Sequence, residues 1–203
     1  FKRSSLLEKA LTHKSLDNNI NNEKLEFLGD RVLGLVISEK LLNKFPNEKE
    51  GIIDKKFANL VNKKTCLLIA RKINLKRFIL LGSSQKKLER SADKITSDCL
   101  EAIVGAIYLD GGLKSAEKFI YFCWEEYLLK SNITLIDSKT KLQEKKKKKF
   151  KVLPKYNFKK TFLLEKALTH KSLDNHNNNE KLEFLGDRVL GLVISEKLLD
   201  KFP

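Results

Sequence analysis

The apolar residues of positions 1–130 recur every three or four residues, which is the spacing of one face of a helix. The spacing predicts a short helix at 6–13, a long helix from Glu23 to about Lys44, another from Ile52 to about Lys72, and two more at 93–109 and 114–129. Pro46 ends the second helix, and two glycines at 111–112 separate the last two. No stretch before residue 130 has a convincing strand pattern. The pattern therefore predicts an all-α domain over residues 1–130.

The helix that begins at Glu23 carries a stripe of carboxylates. Glu23, Glu26 and Asp30 stand at positions i, i+3 and i+7, so they fall within roughly 60° of one another around the helix axis. Asn22 is the predicted N-cap, and acidic residues in the first turn suit the positive end of the helix dipole. That accounts for the first two acids but not for Asp30, and like charges at this spacing repel. We therefore expect a positive group over the stripe. The apolar residues that point elsewhere, towards the core, are Leu25, Leu28 and Val32.

The first 46 residues occur twice. Residues 1–46 recur as 158–203, and the two copies differ at six pairs of positions: Arg3/Lys160, Ser4/Thr161, Ser5/Phe162, Asn19/His176, Ile20/Asn177 and Asn43/Asp200. Two copies are too few for a solenoid, so the pattern indicates a partial duplication of one domain. The acidic stripe is repeated as Glu180, Glu183 and Asp187. We call residues 1–46 the first head and residues 158–203 the second head.

The strong positive charge of the chain limits the kinds of molecule that it is expected to bind. The 203 residues include 41 Lys and Arg against 26 Asp and Glu, a net charge of +15. This balance favours anionic partners, nucleic acid first and acidic lipid second, although surplus lysines on a solvated surface would give the same count. No apolar run approaches the ~18 residues of a membrane span. The sequence therefore predicts a soluble, cytoplasmic protein without a membrane partner or a small-molecule cofactor.

A second acidic pair complements the stripe. Asp98 and Glu101 stand at i and i+3 and project from one face of another helix. Two helices that each offer carboxylates are typical of an all-oxygen site for a hard divalent cation, with Mg²⁺ first. Such an ion lowers the pKa of a bound water and stabilises charge on a phosphodiester under attack. The alternative, surface carboxylates that balance neighbouring lysines, stays open at this point.

The cysteines and His13 give little support for a different kind of catalytic or metal site. Cys66, Cys99 and Cys123 form no CxxC pair and stand in apolar helical contexts, so they are predicted to be buried thiols. No Ser-His-Asp grouping is evident, and His13 is predicted to be a packed, hydrogen-bonded residue instead of a base.

With these acidic motifs, the chain resembles the ribonuclease III family of double-stranded-RNA endonucleases. The resemblance is carried by four stretches: Asn22-Glu23-Lys24-Leu25-Glu26-Phe27-Leu28-Gly29-Asp30-Arg31-Val32-Leu33, Ala10-Leu11-Thr12-His13-Lys14-Ser15, Glu50-Gly51, and Ser97-Asp98-Cys99-Leu100-Glu101-Ala102 continuing to Gly112. It covers residues 1 to about 130 and implies the family's all-helical endonuclease fold.

The resemblance also implies roles for individual residues. Magnesium, with Mn²⁺ as a substitute, would be held by Glu26, Asp30, Asp98 and Glu101. The residues implied to be catalytic are Asp30, Glu101, Glu23 and Glu50, the last two through a composite cleavage centre of a homodimer. Phe27 would be the aromatic knob that enters a socket on the partner subunit. The implied activity is hydrolysis of double-stranded RNA, each site cutting one strand, in the processing of rRNA and mRNA precursors.

The C-terminal third departs from the family. Residues 131–157 resemble a truncated start of the family's α/β double-stranded-RNA-binding domain, in which Thr140, Gln143 and Glu144 would touch the RNA minor groove. The second head, 158–203, then replaces the remainder of that domain. Two alternatives to an active enzyme follow: a catalytically impaired double-stranded-RNA-binding protein, or an interrupted fragment of such an enzyme.

Overall fold

The computed structural model describes residues 1–82, 89–131, 159–174 and 176–202. Within these ranges the chain is helical, and its β structure is limited to an isolated bridge between Thr12 and Leu80. The elements in chain order are α1 (Ser4–Leu11), α2 (Glu23–Lys44), α3 (Glu50–Val61), α4 (Lys63–Lys72), a 3₁₀ turn (Leu75–Phe78), α5 (Glu89–Lys130), α6 (Thr161–Leu168) and α7 (Glu180–Lys201). The all-α prediction is confirmed for the described residues.

Helix α2 lies at the centre of the fold. It packs most extensively against α5, and it also contacts α3 and α7. Because neighbours surround it, α2 carries buried residues around most of its circumference instead of along one stripe. Eleven of its residues are buried: Leu25, Leu28, Gly29, Val32, Leu33, Gly34, Leu35, Val36, Ile37, Ser38 and Leu41. The predicted bounds of α2, and the core positions of Leu25, Leu28 and Val32, are confirmed.

The predicted single helix from Ile52 to Lys72 is wrong. Asn62 adopts an extended backbone (φ −71°, ψ 158°) and separates α3 from α4. Its side-chain oxygen accepts a hydrogen bond from the backbone N–H of Thr65 (2.9 Å), so Asn62 caps the new helix. The apolar spacing hides this break because both helices bury residues against the same core.

The break predicted near residue 111 is confirmed. Helix α5 is kinked at Gly112, whose φ of 73° lies in the left-handed region that glycine tolerates. Asn22 stands at the predicted N-cap position of α2, but its side chain does not cap the helix. Asn22 is buried in an αR conformation without a side-chain cap bond, and Asn21 instead accepts a hydrogen bond from the backbone N–H of Glu23 (3.1 Å). The prediction that Cys66, Cys99 and Cys123 are buried thiols is confirmed.

The two heads form the same helices in different surroundings. Helix α7 differs from α2 at a single position, yet five of the apolar residues that α2 buries in the core are exposed on α7. The equivalent pairs, with the exposed fraction of each member, are Val32 0% and Val189 43%, Leu33 0% and Leu190 59%, Val36 0% and Val193 47%, Ile37 0% and Ile194 48%, and Leu41 0% and Leu198 43%. The first head therefore completes the core, and the second head lies on its outside. The predicted remnant of a binding domain, with Thr140, Gln143 and Glu144, lies outside the described residues.

This difference predicts unequal effects of one substitution made in each head. Leu33→Ala removes a fully buried side chain and is expected to lower the free energy of unfolding by ~2–5 kcal/mol. Leu190→Ala, at the equivalent exposed position, is expected to change it by less than ~0.5 kcal/mol. Urea unfolding followed by circular dichroism measures both. Equal losses, or a larger loss for Leu190→Ala, would show that the first head does not occupy the core in this way.

Candidate metal centre

Three carboxylates from two helices converge at the α2–α5 contact. Glu26 of α2 and Asp98 and Glu101 of α5 each offer an oxygen, and these oxygens lie within 4.8 Å of one another. Asp98 and Glu101 are 7% and 3% exposed, and Glu26 is half-buried. We call these three residues the acidic cluster. It is a half-enclosed, all-oxygen donor set, which is the chemistry that hard divalent cations bind.

Two glycines allow the helices to approach closely enough for the acidic cluster to form. A Cβ atom on Gly29 of α2 would lie 1.8 Å from the carbonyl oxygen of Glu101, and one on Gly105 of α5 would lie 2.2 Å from the carbonyl oxygen of Leu25. Both distances are far below van der Waals contact with rigid backbone. The helices can therefore touch here only because both positions lack a side chain. On α2 the contact includes Leu25, the residue next to Glu26, and on α5 it includes Glu101 itself. The close approach of the helices therefore lies directly beside the acidic cluster.

A lysine ammonium occupies the centre of the acidic cluster. The Nζ atom of Lys63, the first residue of α4, lies 2.5 Å from Asp98, 2.9 Å from Glu101 and 3.3 Å from Glu26. Lys94 adds a second ammonium 3.0 Å from the other oxygen of Asp98. Lys63 is the positive group over Glu26 that the acidic stripe led us to expect, but the sequence did not identify either lysine. They reach the acids from α4 and from the preceding turn of α5, and lysines are too common in this chain for spacing to single them out.

The buried position of the acidic cluster changes its proton affinities. Burial raises the pKa of Glu101 to about 7, even though hydrogen bonding to Lys63 lowers it. Burial and the charge of Asp98 raise the pKa of Glu26. Burial acts against the charged form of Asp98 as well, but hydrogen bonds from Lys63 and Lys94 outweigh it and lower the pKa of that carboxyl. The ionised form of Glu101 thus destabilises the fold above its pKa, and a nearby cation relieves that cost.

The same carboxylates bind the lysine firmly. Burial alone would lower the pKa of Lys63, but hydrogen bonds with Asp98 and Glu101 outweigh burial and raise it. Lys63 therefore remains a cation at neutral pH. In this structure the acidic cluster therefore already surrounds one cation, the ammonium of Lys63.

Asp30, expected beside these ligands, points elsewhere. Its carboxylate forms an ion pair with the adjacent Arg31, and it is not among the oxygens that converge. It is still close enough for its charge to contribute to the raised pKa of Glu101. Its predicted roles as a metal ligand and catalytic residue stay predictions.

The remaining predicted acids lie outside the acidic cluster. Glu23 is exposed and pairs with Lys14 at 2.7 Å. Burial, and then the charges of Glu180 and Glu183 in the second head, raise the pKa of Glu50, which shows that this residue faces α7. The roles of Glu23 and Glu50 in a composite centre stay predictions.

His13 does not belong to the site. It is half-buried, and its Nδ1 lies 2.9 Å from the Ser15 hydroxyl. Burial and the neighbouring Lys14 lower the pKa of its imidazole. The prediction of a packed, hydrogen-bonded histidine is confirmed.

Comparisons with known proteins decide the family. The family model described as Ribonuclease-III-like matches residues 3–130 and again 160–203, which together are most of the chain. The chain belongs to the ribonuclease III family. The family match extends over both heads, so the second head has the family's sequence character as well as the helices of the first.

Individual relatives agree with the family model. A Ribonuclease 3 from Pelagibacter ubique is 58% identical over 156 residues, which are 77% of this chain and 70% of that protein. A Ribonuclease 3 from Campylobacter fetus is 40% identical over 197 residues, 90% of this chain and 87% of that protein. A solved nuclease domain of the Campylobacter jejuni ribonuclease III is 44% identical, with a TM-score of 0.60, over 63% of this chain and 90% of that domain. That Campylobacter jejuni domain shows structural flexibility in a region involved in dimer formation.

The ribonuclease III family consists of endoribonucleases, and the acidic cluster fits the metal that the family implies. Three carboxylates on two helices supply oxygen ligands, and when all three are ionised their charge exceeds that of the two ammonium groups, Lys63 and Lys94, that pair with them. In the part of the chain that the structure describes, no helix has the length and apolar character needed to span a bilayer.

The glycine contact predicts a matched pair of substitutions. Gly29→Ala forces α2 away from α5, so we expect a loss of ~1–3 kcal/mol or more in the free energy of unfolding, together with weaker binding of Mn²⁺ to the acidic cluster. Gly186→Ala, at the equivalent position of the second head, meets no atom within 4 Å and is expected to be neutral or to stabilise by up to ~1 kcal/mol. Urea titrations and Mn²⁺ calorimetry test both variants. If the two alanines have the same effect, the close contact is not what holds the helices together.

The position of Lys63 predicts that a divalent ion competes with its ammonium. Lys63→Met removes the internal cation, so we expect affinity for Mn²⁺ to rise about tenfold or more, which corresponds to ~1.4 kcal/mol. The exposed neighbour Lys64 serves as the control, and Lys64→Met is expected to leave the affinity unchanged. Calorimetry or the electron paramagnetic resonance signal of free Mn²⁺ gives the affinity. Unchanged or weaker binding by Lys63→Met would rule out competition.

Proposed function

We propose that the chain is a Mg²⁺-dependent endoribonuclease that hydrolyses phosphodiester bonds in double-stranded RNA, in the processing of rRNA and mRNA precursors in the cytoplasm. The observation that supports this proposal is the acidic cluster, which joins Glu26 of one signature stretch to Asp98 and Glu101 of another. Family membership supports the endoribonuclease class, and the net charge of +15 supports a polyanionic substrate.

The residues of the acidic cluster, and the lysine that lies among them, have separate roles in the proposed hydrolysis. Glu26, Asp98 and Glu101 would hold the ion, since their oxygens already converge. When bound, the ion supplies an activated water and neutralises charge on the phosphate. Burial of Asp98 and Glu101 excludes bulk water and strengthens their interaction with any cation. Because Lys63 lies among the ligands, we propose that its ammonium moves out on metal binding and is then available to a phosphate oxygen.

The substrate class follows from the shape of duplex RNA. Its minor groove is wide and shallow, so proteins recognise it through 2′-hydroxyls, phosphates and overall geometry more than through base edges. A surface rich in lysine suits this mode, since lysine–phosphate contacts carry little sequence information. We therefore infer weak sequence preference. Thr140, Gln143 and Glu144 remain proposed contacts to the minor groove.

A second candidate function is binding of duplex RNA without turnover. It is favoured by the ammonium of Lys63, which already neutralises part of the acidic cluster, and by Asp30, which is paired with Arg31 instead of facing the cluster. If neither side chain moves when metal is added, the chain would hold duplex RNA but lack the ion that hydrolysis needs.

A pair of glutamates in identical sequence contexts tests the proposed activity. Glu26→Gln removes a carboxylate from the acidic cluster, so we expect cleavage of a long RNA duplex in Mg²⁺ to fall at least about 100-fold. Glu183→Gln is the equivalent change in the second head, outside that cluster, and is expected to leave the rate within about twofold. Gel analysis of the products gives both rates. Wild-type protein that binds the duplex in EDTA but yields no product in Mg²⁺ would support the binding function instead.

A further inference from the structure

Helices α2 and α7 lie against each other in antiparallel fashion. The Lys24 ammonium, in the first turn of α2, donates to the carbonyl of Phe202 just after α7 (3.0 Å). The equivalent lysine of α7, Lys181, donates to the carbonyl of Pro46 just after α2. Each helix therefore uses the same lysine to bind the end of the other.

The middle of the contact repeats the same exchange. A Cβ on Gly34 would lie 3.9 Å from the Cγ of Arg188, and a Cβ on Gly191 would lie 3.4 Å from the Cδ of Arg31. Gly34 and Gly191 are equivalent residues of the two heads, as are Arg31 and Arg188. If residue i of one copy contacts residue j of the other, and j of the first contacts i of the second, the two copies are related by a two-fold axis. The two heads of one chain thus meet as two subunits of a symmetric dimer do.

An aromatic side chain of the second head anchors this interface. Phe184 is 3% exposed and packs edge-on against Phe57 of α3, with ring centroids 5.6 Å apart. The guanidinium of Arg188 stacks on both rings, 4.0 Å from the centroid of Phe184 and 4.6 Å from that of Phe57, and pairs with Asp54. The equivalent residue of the first head, Phe27, is 40% exposed and contacts Arg31. Phe184 is therefore the knob that fills a socket in this chain, and Phe27 is not.

Further contacts connect the second head to the domain body. The Tyr108 hydroxyl donates to Glu196 (2.6 Å), and burial together with this hydrogen bond raises the pKa of Tyr108 to about 12. Leu192 of α7 and its equivalent in α2, Leu35, are 6% and 9% exposed. These contacts leave the α2–α3 surface covered.

We propose that the second head acts as a substitute subunit within the same chain. It covers the surface of α2 and α3 on which the first head of a second copy would dock, so the chain is a monomer with the internal symmetry of a dimer. The homodimer expected from the family resemblance, with Phe27 as its knob, is then blocked at this surface. The proposal concerns only how the heads pack, and it holds whether or not the chain cleaves RNA.

Disulfide trapping in the full chain distinguishes an internal contact from a contact between chains. Gly34→Cys combined with Arg188→Cys places two thiols across the interface, and the new side chain at position 34 meets only ordinary contacts. The native cysteines are buried and should not compete. The control combines Gly34→Cys with Gly186→Cys, because Gly186 faces open space. After mild oxidation, non-reducing gel electrophoresis separates a monomer closed on itself from a covalent dimer, and size-exclusion chromatography with light scattering gives the mass of the wild-type chain.

We expect nearly complete oxidation of the 34/188 pair to an internally bridged monomer, little internal bridging of the control pair, and a wild-type mass of one chain, 23.4 kDa. A covalent dimer from the 34/188 pair would show that the heads meet between chains and would overturn the proposal. Absence of any bridge at 34/188 would show that α7 does not lie on α2, and would overturn it as well. Neither result depends on RNA cleavage, so failure of the proposed function does not affect this test.

Discussion

The direct contact of two helix backbones at Gly29 and Gly105 is the constraint on which the rest of this structure depends. A side chain at either position would collide with a backbone carbonyl of the other helix, so α2 and α5 would have to move apart. The contact places Glu26 opposite Asp98 and Glu101 while burying the apolar residues of α2 on the same partner. The same helix contact therefore packs the core and assembles the acidic cluster, so the carboxylates are held in place by the core residues beside them.

The electrostatics of the acidic cluster follow from that packing. Burial is the main reason that the pKa of Glu101 rises to about 7, and the negative charges of Asp30 and Glu26 add to the rise. Lys63 provides the opposing charge from a third helix, whose start is fixed by the Asn62 cap. A bound divalent ion would supply more charge at the same place. The acids are thus arranged around a cation, and in the proposed mechanism a divalent ion would take the place of the Lys63 ammonium.

The two heads show that one sequence can serve two structural purposes. Helix α2 buries Leu33 and Ile37 in the core and exposes Phe27, whereas α7 exposes Leu190 and Ile194 and buries Phe184. The two helices differ in their neighbours. Helix α2 packs its apolar face on α5, whereas α7, among the described residues, contacts other helices only through the opposite face. A helix with apolar residues on both sides is stable in either place, because each side can bury area against a different partner.

The sequence by itself determined the helices, the duplicated head and the chemical character of the site. Apolar periodicity placed α2 from Glu23 to about Lys44, because periodicity is a property of local sequence. The spacing of charges singled out an acidic stripe and an acidic pair, and the structure brings Glu26 of the stripe together with Asp98 and Glu101 of the pair. The sequence missed the break at Asn62, the pairing of Asp30 with Arg31 and the ammonium of Lys63, since each depends on which side chains approach across the fold. Only the tertiary structure decided which of two nearly identical heads enters the core and which covers α2, because α2 and α7 have the same apolar pattern and differ only at Asn43/Asp200.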